Sequence, residues 1–235
     1  MATNIIVSYD NTENDRDALA LGRRLRDAGA TISLAYVRHI QLAEADREAL
    51  EDSDAQRLLA EGAELLGDPD VPRHTVIDAS TGEGLIALAE REHADLVVFG
   101  SDYRTATGSV QPGNSARRLL DGGRTAVGIA PAGFRDRTDP IATIGFIPSA
   151  DDASAEETAR SLAAQTDAVV FRDDSRTPDL LVVGSRPEAR EGHVLISAAA
   201  EYAIETSGCP VIVTPRGMAL TFARTQAGTK TLQNN

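Results

Sequence analysis

Apolar residues fall along the chain in short, β-branched runs separated by stretches with helical spacing. Residues 4–9 open with one such run and residues 32–37 give a second, each short enough to be a strand buried on two faces. Between them Ala18, Leu19, Leu21, Gly22 and Leu25 share one side of a helix that ends by Gly29, with Asn11, Thr12 and Asn14 as capping residues. Residues 40–67 are polar but keep leucine at positions 42, 50, 58, 59, 65 and 66, which predicts a linker turn and a long exposed helix. Residues 72–78 predict a third strand, residues 83–92 a helix, and Leu96-Val97-Val98-Phe99 a fourth strand that Gly100 breaks. A polar loop runs to Gly113; Asn114 reads as the N-cap of a short helix stopping at Gly122-Gly123, and residues 126–130 as a fifth strand. Strands alternating with helices predict a parallel α/β sheet with right-handed crossovers.

The stretch from Asp95 to Phe134 occurs twice. An offset of 84 residues lays Asp179 to Met218 under it without a gap, and about eleven of forty positions are identical. Among them are Asp95/Asp179, Gly100/Gly184, Ser101/Ser185, Gly108/Gly192, Pro131/Pro215 and Gly133/Gly217. A repeat of this period means two related folded units rather than a short-repeat solenoid. The second is smaller: residues 141–147 and 168–171 predict strands and residues 155–164 a helix, and the chain then passes directly to the strand at Leu180. A helix–strand–helix segment, roughly residues 40–93 of the first unit, has no counterpart. The division is 1–134, 135–217 and a tail, 218–235, that reads as flexible.

Composition narrows the function. At 235 residues and 42% hydrophobic the chain has ample core for two small domains. A formal net charge of −13 argues against nucleic acid or an anionic membrane as partner, because both select a basic face. Cys209 is the single cysteine, so neither an internal disulfide nor a cysteine-based metal site is available. No signal peptide and no membrane-length apolar run is evident, and the expectation is a cytoplasmic protein. There is no phosphate-loop motif GxxxxGK[ST], no GxSxG elbow and no HExxH, and His39, His74, His93 and His193 lack metal-ligand spacing.

The order of elements, Asp10 closing the first strand, and Gly100 with Gly113 thirteen residues later resemble the universal stress protein family. The resemblance covers residues 3–134 well and 139–217 in degenerate form. It implies two tandem Rossmann-like units of the adenine nucleotide alpha hydrolase type, with strand order 3-2-1-4-5 in the first and a truncated second. It also implies an adenine nucleotide, ATP foremost, with Mg2+ alongside. The family's motif is glycine, two residues, glycine, nine residues, glycine, then Ser or Thr. Gly100 and Gly113 match its first and third glycines, Tyr103 stands at the second, and Asn114 at the hydroxyl position, with Ser115 next. In an open parallel sheet the ligand crevice lies beyond the carboxyl ends of strands flanking the reversal in strand order, here the first and fourth. Asp10 there can accept from a ribose or purine group or cap the first helix, and the backbone from Gly113 to Ser115 offers donors to phosphate. Val37 stands where the family's backbone contacts adenine. Tyr103 stands as a lid, a stacking partner or a space filler, and Arg104 and Arg117 as phosphate partners or surface residues.

In the second unit Pro187, Ser197 and Ala198 replace the motif residues and Ser149 stands near the place of Asp10, so that site reads as lost. Family members pair their last strands edge to edge, which implies that residues 126–130 meet residues 211–214 as an intrachain pseudo-dimer, with a homodimer left open. Three readings follow: a nucleotide-binding stress-response regulator, a scaffold or dimerisation module without nucleotide, and a slow ATPase. Enzymatic activity is the least supported, and no catalytic or metal-ligating residue is assigned.

Overall fold

The fold was analysed in a computed structural model that describes residues 2–39, 45–172 and 177–223. The chain alternates strand and helix from the start: β1 (Asn4–Ser8), α1 (Glu13–Asp27), β2 (Thr31–His39), α2 (Ala45–Leu66), β3 (Arg73–Asp78), α3 (Thr81–Arg91), β4 (Leu96–Gly100), α4 (Asn114–Leu120) and β5 (Ala126–Ala130). A 3-10 turn, Phe134–Asp136, leads into β6 (Thr143–Ile147), α5 (Ser154–Thr166), β7 (Val169–Arg172), β8 (Leu180–Gly184), α6 (Ala198–Thr206) and β9 (Val211–Thr214). The nine strands of the described residues form one sheet in the order β3-β2-β1-β4-β5-β9-β8-β6-β7. Every pairing is parallel except β5 with β9, where Val127 faces Val213, Gly128 faces Ile212 and Ile129 faces Val211. The first half therefore has the expected order 3-2-1-4-5, and the second has the corresponding order without its third strand.

The strand alternation decides which core each side chain joins. Ile5 and Val7 of β1 join the core that α1, α2 and α5 cover on one face, whereas Ile6 joins the core that α3, α4 and α6 cover on the other. Both faces being covered explains why these strands read as continuous apolar runs. The α1 face Ala18, Leu19, Leu21, Gly22 and Leu25 is buried as the spacing requires, and so is Asp17. The long helix is less exposed than its composition predicts. Ala55, Leu59, Ala63 and Leu66 recur at helical spacing and are buried against α1 and β2, leaving Leu65 outside. Its expected linker turn, residues 40–44, lies outside the described residues.

The repeat extends to individual hydrogen bonds. Ser101 Oγ donates to the Ala130 carbonyl and receives the Gln111 N–H, and Ser185 Oγ does the same with Thr214 and Leu195. Gly108 N–H reaches the Ala132 carbonyl as Gly192 N–H reaches that of Arg216, both glycines standing at positive φ. Asp95 and Asp179 each take the N–H of the residue opening the neighbouring strand, Asn4 and Thr143. Between the halves, Gly122 N–H bonds to the Val194 carbonyl and Val194 N–H to that of Gly123.

The start of the tail is not frayed. Leu220 and Phe222 are buried in the core beneath α5, Thr3 donates N–H and Oγ1 to the Thr221 carbonyl, and Thr158 Oγ1 and Ser161 Oγ accept from Leu220 and Phe222. Alternating apolar residues, Leu220 and Phe222, carry this docking, a pattern too short to stand out in the sequence. Residues 224–235 of the expected tail lie outside the described residues.

Candidate functional site

The chain leaves β1 through a tight acidic turn. Thr12, not Asp10, caps α1: its hydroxyl receives the Asp15 N–H while Asp15 Oδ2 accepts from the Thr12 N–H and hydroxyl. Asp15 Oδ2 also accepts the Asp10 N–H at 3.1 Å, and the exposed Asp10 carboxyl lies beside it. Burial, reinforced by the hydrogen bond and charge of Asp10, pushes the Asp15 carboxyl up to about 8, against the opposing pull of the Thr12 hydroxyl and the Asp10 N–H. The Asp15 carboxyl thus keeps its proton at neutral pH. Burial also raises the neighbouring Tyr9 phenol, whose hydroxyl donates to Asn11 Oδ1 at 2.9 Å.

This pair makes stability depend on pH with a definite sign. A folded-state value near 8 against an ordinary 3.8 means that the folded chain holds a proton the unfolded chain releases. The contribution is complete below the ordinary value and is lost as pH rises toward and through about 8. Asp15→Asn supplies a permanent N–H in place of that proton. We expect it to flatten the fall in urea midpoint between about pH 5 and pH 8 and to exceed the wild type by about 1 kcal/mol at the upper end. A variant less stable than wild type at the alkaline end would contradict the proton held on Asp15.

Across the strand-order reversal lies Gly100, at the end of β4. The first turn of α1 rests on it: a Cβ there would stand 2.5 Å from the Asn14 carbonyl carbon and closer still to its oxygen. Asn14 Nδ2 donates to the carbonyls of Ser101 and Asp102, at 2.9 and 2.7 Å. Asn14, read from sequence only as a capping residue, therefore ties the β1 rim to the β4 loop. That loop is braced by the Ser101–Pro112 bridge and the Asp102 N–H to Gln111 carbonyl bond. Tyr103 projects from it, 70% exposed, with the Arg104 guanidinium 4.9 Å above its ring. It fills no space within the crevice.

Gly113, not Asn114, occupies the N-cap of α4, with extended backbone (φ −71°, ψ 172°) and no side-chain cap. A Cβ at Gly113 would meet nothing within 4 Å. Asn114 is exposed and Ser115 half-buried, opening a helix of seven residues. Arg117 is already engaged: it donates to the Pro112 carbonyl and pairs with Glu201 and Glu205 of α6, and the Glu201 bond holds its pKa above the ordinary arginine value. Arg118 pairs with Glu83 at 2.5 Å. Val37 is buried, with its side chain against α3 at Gly84 and its backbone paired with Val76. The structure thus joins Asp10, Asn14, Asp15 and Gly100 into one rim, with Gly113 to Ser115 beyond the braced loop. Asn14 and Asp15 were the residues that motif spacing missed. The reciprocal Thr12–Asp15 capping pattern was the available signal for the latter. Among the described residues no cluster of His, Cys, Asp and Glu is placed to hold a metal ion, and no helix is long and apolar enough to cross a membrane.

Solved structures share this architecture. A universal stress protein from Archaeoglobus fulgidus DSM 4304 superposes with a TM-score of 0.69 at 16% identity, covering 91% of this chain and 98% of its own. A putative universal stress protein from Pseudomonas aeruginosa UCBPP-PA14 gives 0.57 at 15% identity, covering 92% and 94%. No curated protein sequence matches. The sequence profile of the universal stress protein family matches residues 1–127, more than half of the chain. With its sheet order and its repeated loop bonds, the chain belongs to the universal stress protein family.

Proposed function

We propose that this chain is a stress-response regulator that binds an adenine nucleotide, ATP foremost, in the crevice of its first half. The observation that carries the reading is Gly113, an open backbone position at which a side chain would meet nothing, so its glycine is not demanded by packing. Gly100, by contrast, is demanded by packing, and the open backbone at Gly113 leaves room for a ligand to approach it. The exposed Asp10 carboxyl supplies an acceptor on the rim, the main chain at Val37 a base contact, and the N–H groups at Asn114 and Ser115 phosphate contacts. Tyr103, exposed on the loop after β4, would close over a bound base. Mg2+ enters with the nucleotide's phosphates rather than on a protein cage. The β5–β9 pairing supports reading the two halves as an intrachain pseudo-dimer, which leaves β3 and β7 as the outer edges of the sheet.

Thermal-shift and calorimetric titrations with ATP, ADP, AMP and cyclic AMP, with and without magnesium, test the proposal. At about 100 times the dissociation constant a ligand stabilises by about 2.7 kcal/mol. Gly113→Val is the informative variant, because a Cβ there meets nothing in the free protein and the added bulk faces an approaching ligand. The expected result is a shift for wild type that is lost in Gly113→Val and weakened in Asp10→Ala. No shift with any nucleotide would move the function to the second reading, a scaffold acting through protein contacts, for which the exposed Tyr103 and Arg104 pair is the specific support.

A further inference from the structure

The second half keeps a crevice of about 400 Å3 beside Gly184 but has lost the motif residues, and its clearest chemical contribution lies elsewhere, in α6. Glu201 and Glu205 of that helix hold Arg117 of α4, with Nη1 at 2.7 Å from Glu201 and Nη2 at 3.2 Å from Glu205. The third guanidinium nitrogen, Nε, donates to the Pro112 carbonyl at 3.0 Å. The Arg117 backbone N–H takes the next carbonyl, that of Gly113, at 2.9 Å. The repeat sharpens the arrangement. An offset of 84 residues makes Glu201 the counterpart of Arg117 itself, and Ile196 that of Pro112. A carboxylate has no donor for the Ile196 carbonyl, so position 201 serves the loop of the other half instead of its own.

We propose that Arg117 is a positioning residue for the Pro112–Gly113 peptide and that the second half, through Glu201 and Glu205, sets it. The inference rests on reading Gly113 as the backbone position that a ligand approaches. A peptide unit is planar and trans, so the direction of the Pro112 carbonyl fixes that of the Gly113 N–H, turned away from the guanidinium. Glycine has the widest backbone freedom of any residue and α4 has no side-chain cap, so the neighbours of Gly113 must supply the restraint. On one side Ser101 bridges Pro112; on the other stands Arg117. An arginine bonded to one carbonyl alone would keep much of its rotamer freedom, whereas two carboxylates beyond it fix the plane of the fork. The three side chains are each 40% to 43% exposed, a setting in which ion pairs add little stability. The effect of the network therefore falls on the geometry of the loop more than on the fold.

The test uses the full chain, read by the Gly113 amide in the free protein and by ATP titration. Arg117→Lys puts one ammonium where three donors reach both halves, and Glu201→Gln with Glu205→Gln removes both charges. Each should displace the Gly113 amide resonance and lower its order parameter at an unchanged urea midpoint, and weaken ATP about fivefold. Arg117→Glu with Glu201→Arg re-forms a pair between the helices with its charges exchanged. It should regain the midpoint that Arg117→Glu alone loses, while the Gly113 amide stays displaced, because the new arginine lies on the wrong helix for Pro112. An unmoved Gly113 amide in the first two variants, or a swap that restores it, would overturn the proposal and leave Arg117 a contact between the halves. Tighter ATP binding once the carboxylates are gone would also overturn it, by making Arg117 a phosphate partner that they restrain. The amide readout needs no ligand. A displaced Gly113 amide in a chain that binds no nucleotide would sink the reading of the first half and leave this one standing.

Discussion

Gly100→Ala is expected to lower the stability of the chain by about 3 kcal/mol or more, whereas the matched change in the repeat, Gly184→Ala, should cost less than about 1 kcal/mol. The positions are equivalent in sequence and in strand register, both ending the strand at the strand-order reversal. The difference is what stands opposite. At Gly100 the added carbon overlaps the Asn14 carbonyl, a backbone group with no rotamer to change. Moving it would pull α1 away from β4 and break the Asn14 bonds to Ser101 and Asp102. At Gly184 the closest atom is 3.1 Å away and the crevice leaves room for a shift of a few tenths of an ångström. Urea unfolding with the two variants side by side decides it, read as a change in midpoint at constant slope. A Gly100→Ala protein within about 1 kcal/mol of wild type would mean that α1 does not rest on β4 as described.

This contrast marks where the sequence was legible. The offset of 84 residues predicted a duplicated loop, and the duplicated bonds of Ser101 and Ser185 are its physical content: a small hydroxyl pins each loop to the following strand. The strands were legible as β-branched runs bounded by Asp95, Gly100 and Pro131, whereas their order was implied only by the resemblance to the universal stress protein family. The candidate site was legible only as a set of positions. That Gly100 serves packing and Gly113 does not depends on whether α1 lies over one of them, and spacing carries no such information. Asn14 was hidden because a residue with good capping chemistry here spends its amide on carbonyls 87 and 88 residues away. In the second half the replaced motif residues remove family-type contacts without filling the space, which spacing alone does not show.

Asp17 was missed for a related reason, and it carries the other large effect. On the α1 helical pattern it falls among apolar neighbours, Ala18, Leu21 and Leu25, and is itself 0% exposed. Its carboxylate reaches 116 residues along the chain: Oδ2 accepts the Gly133 N–H at 2.9 Å and Oδ1 the Arg135 N–H at 2.8 Å. Arg135 closes the arrangement with Nη1 at 3.3 Å from Asp17 and Nη2 at 2.6 Å from Glu13. These bonds fasten the turn after β5, where Gly133 stands at φ +80°, to the first helix at the point where the chain passes into the second half.

Asp17→Ala would leave the Gly133 and Arg135 N–H groups without their buried acceptor, while the Arg135 guanidinium keeps Glu13, and two stranded donors of this kind cost about 3–5 kcal/mol. Asp17→Asn keeps one carbonyl acceptor but turns an NH2 toward a donor, for a loss of about 2 kcal/mol. Urea unfolding should rank the three proteins in that order, and hydrogen exchange should show Gly133 and Arg135 losing protection in Asp17→Asn before the rest of the sheet. If Asp17→Ala fell within about 1 kcal/mol of wild type, or Asn proved as damaging as Ala, the carboxylate would not be the fastening between the halves.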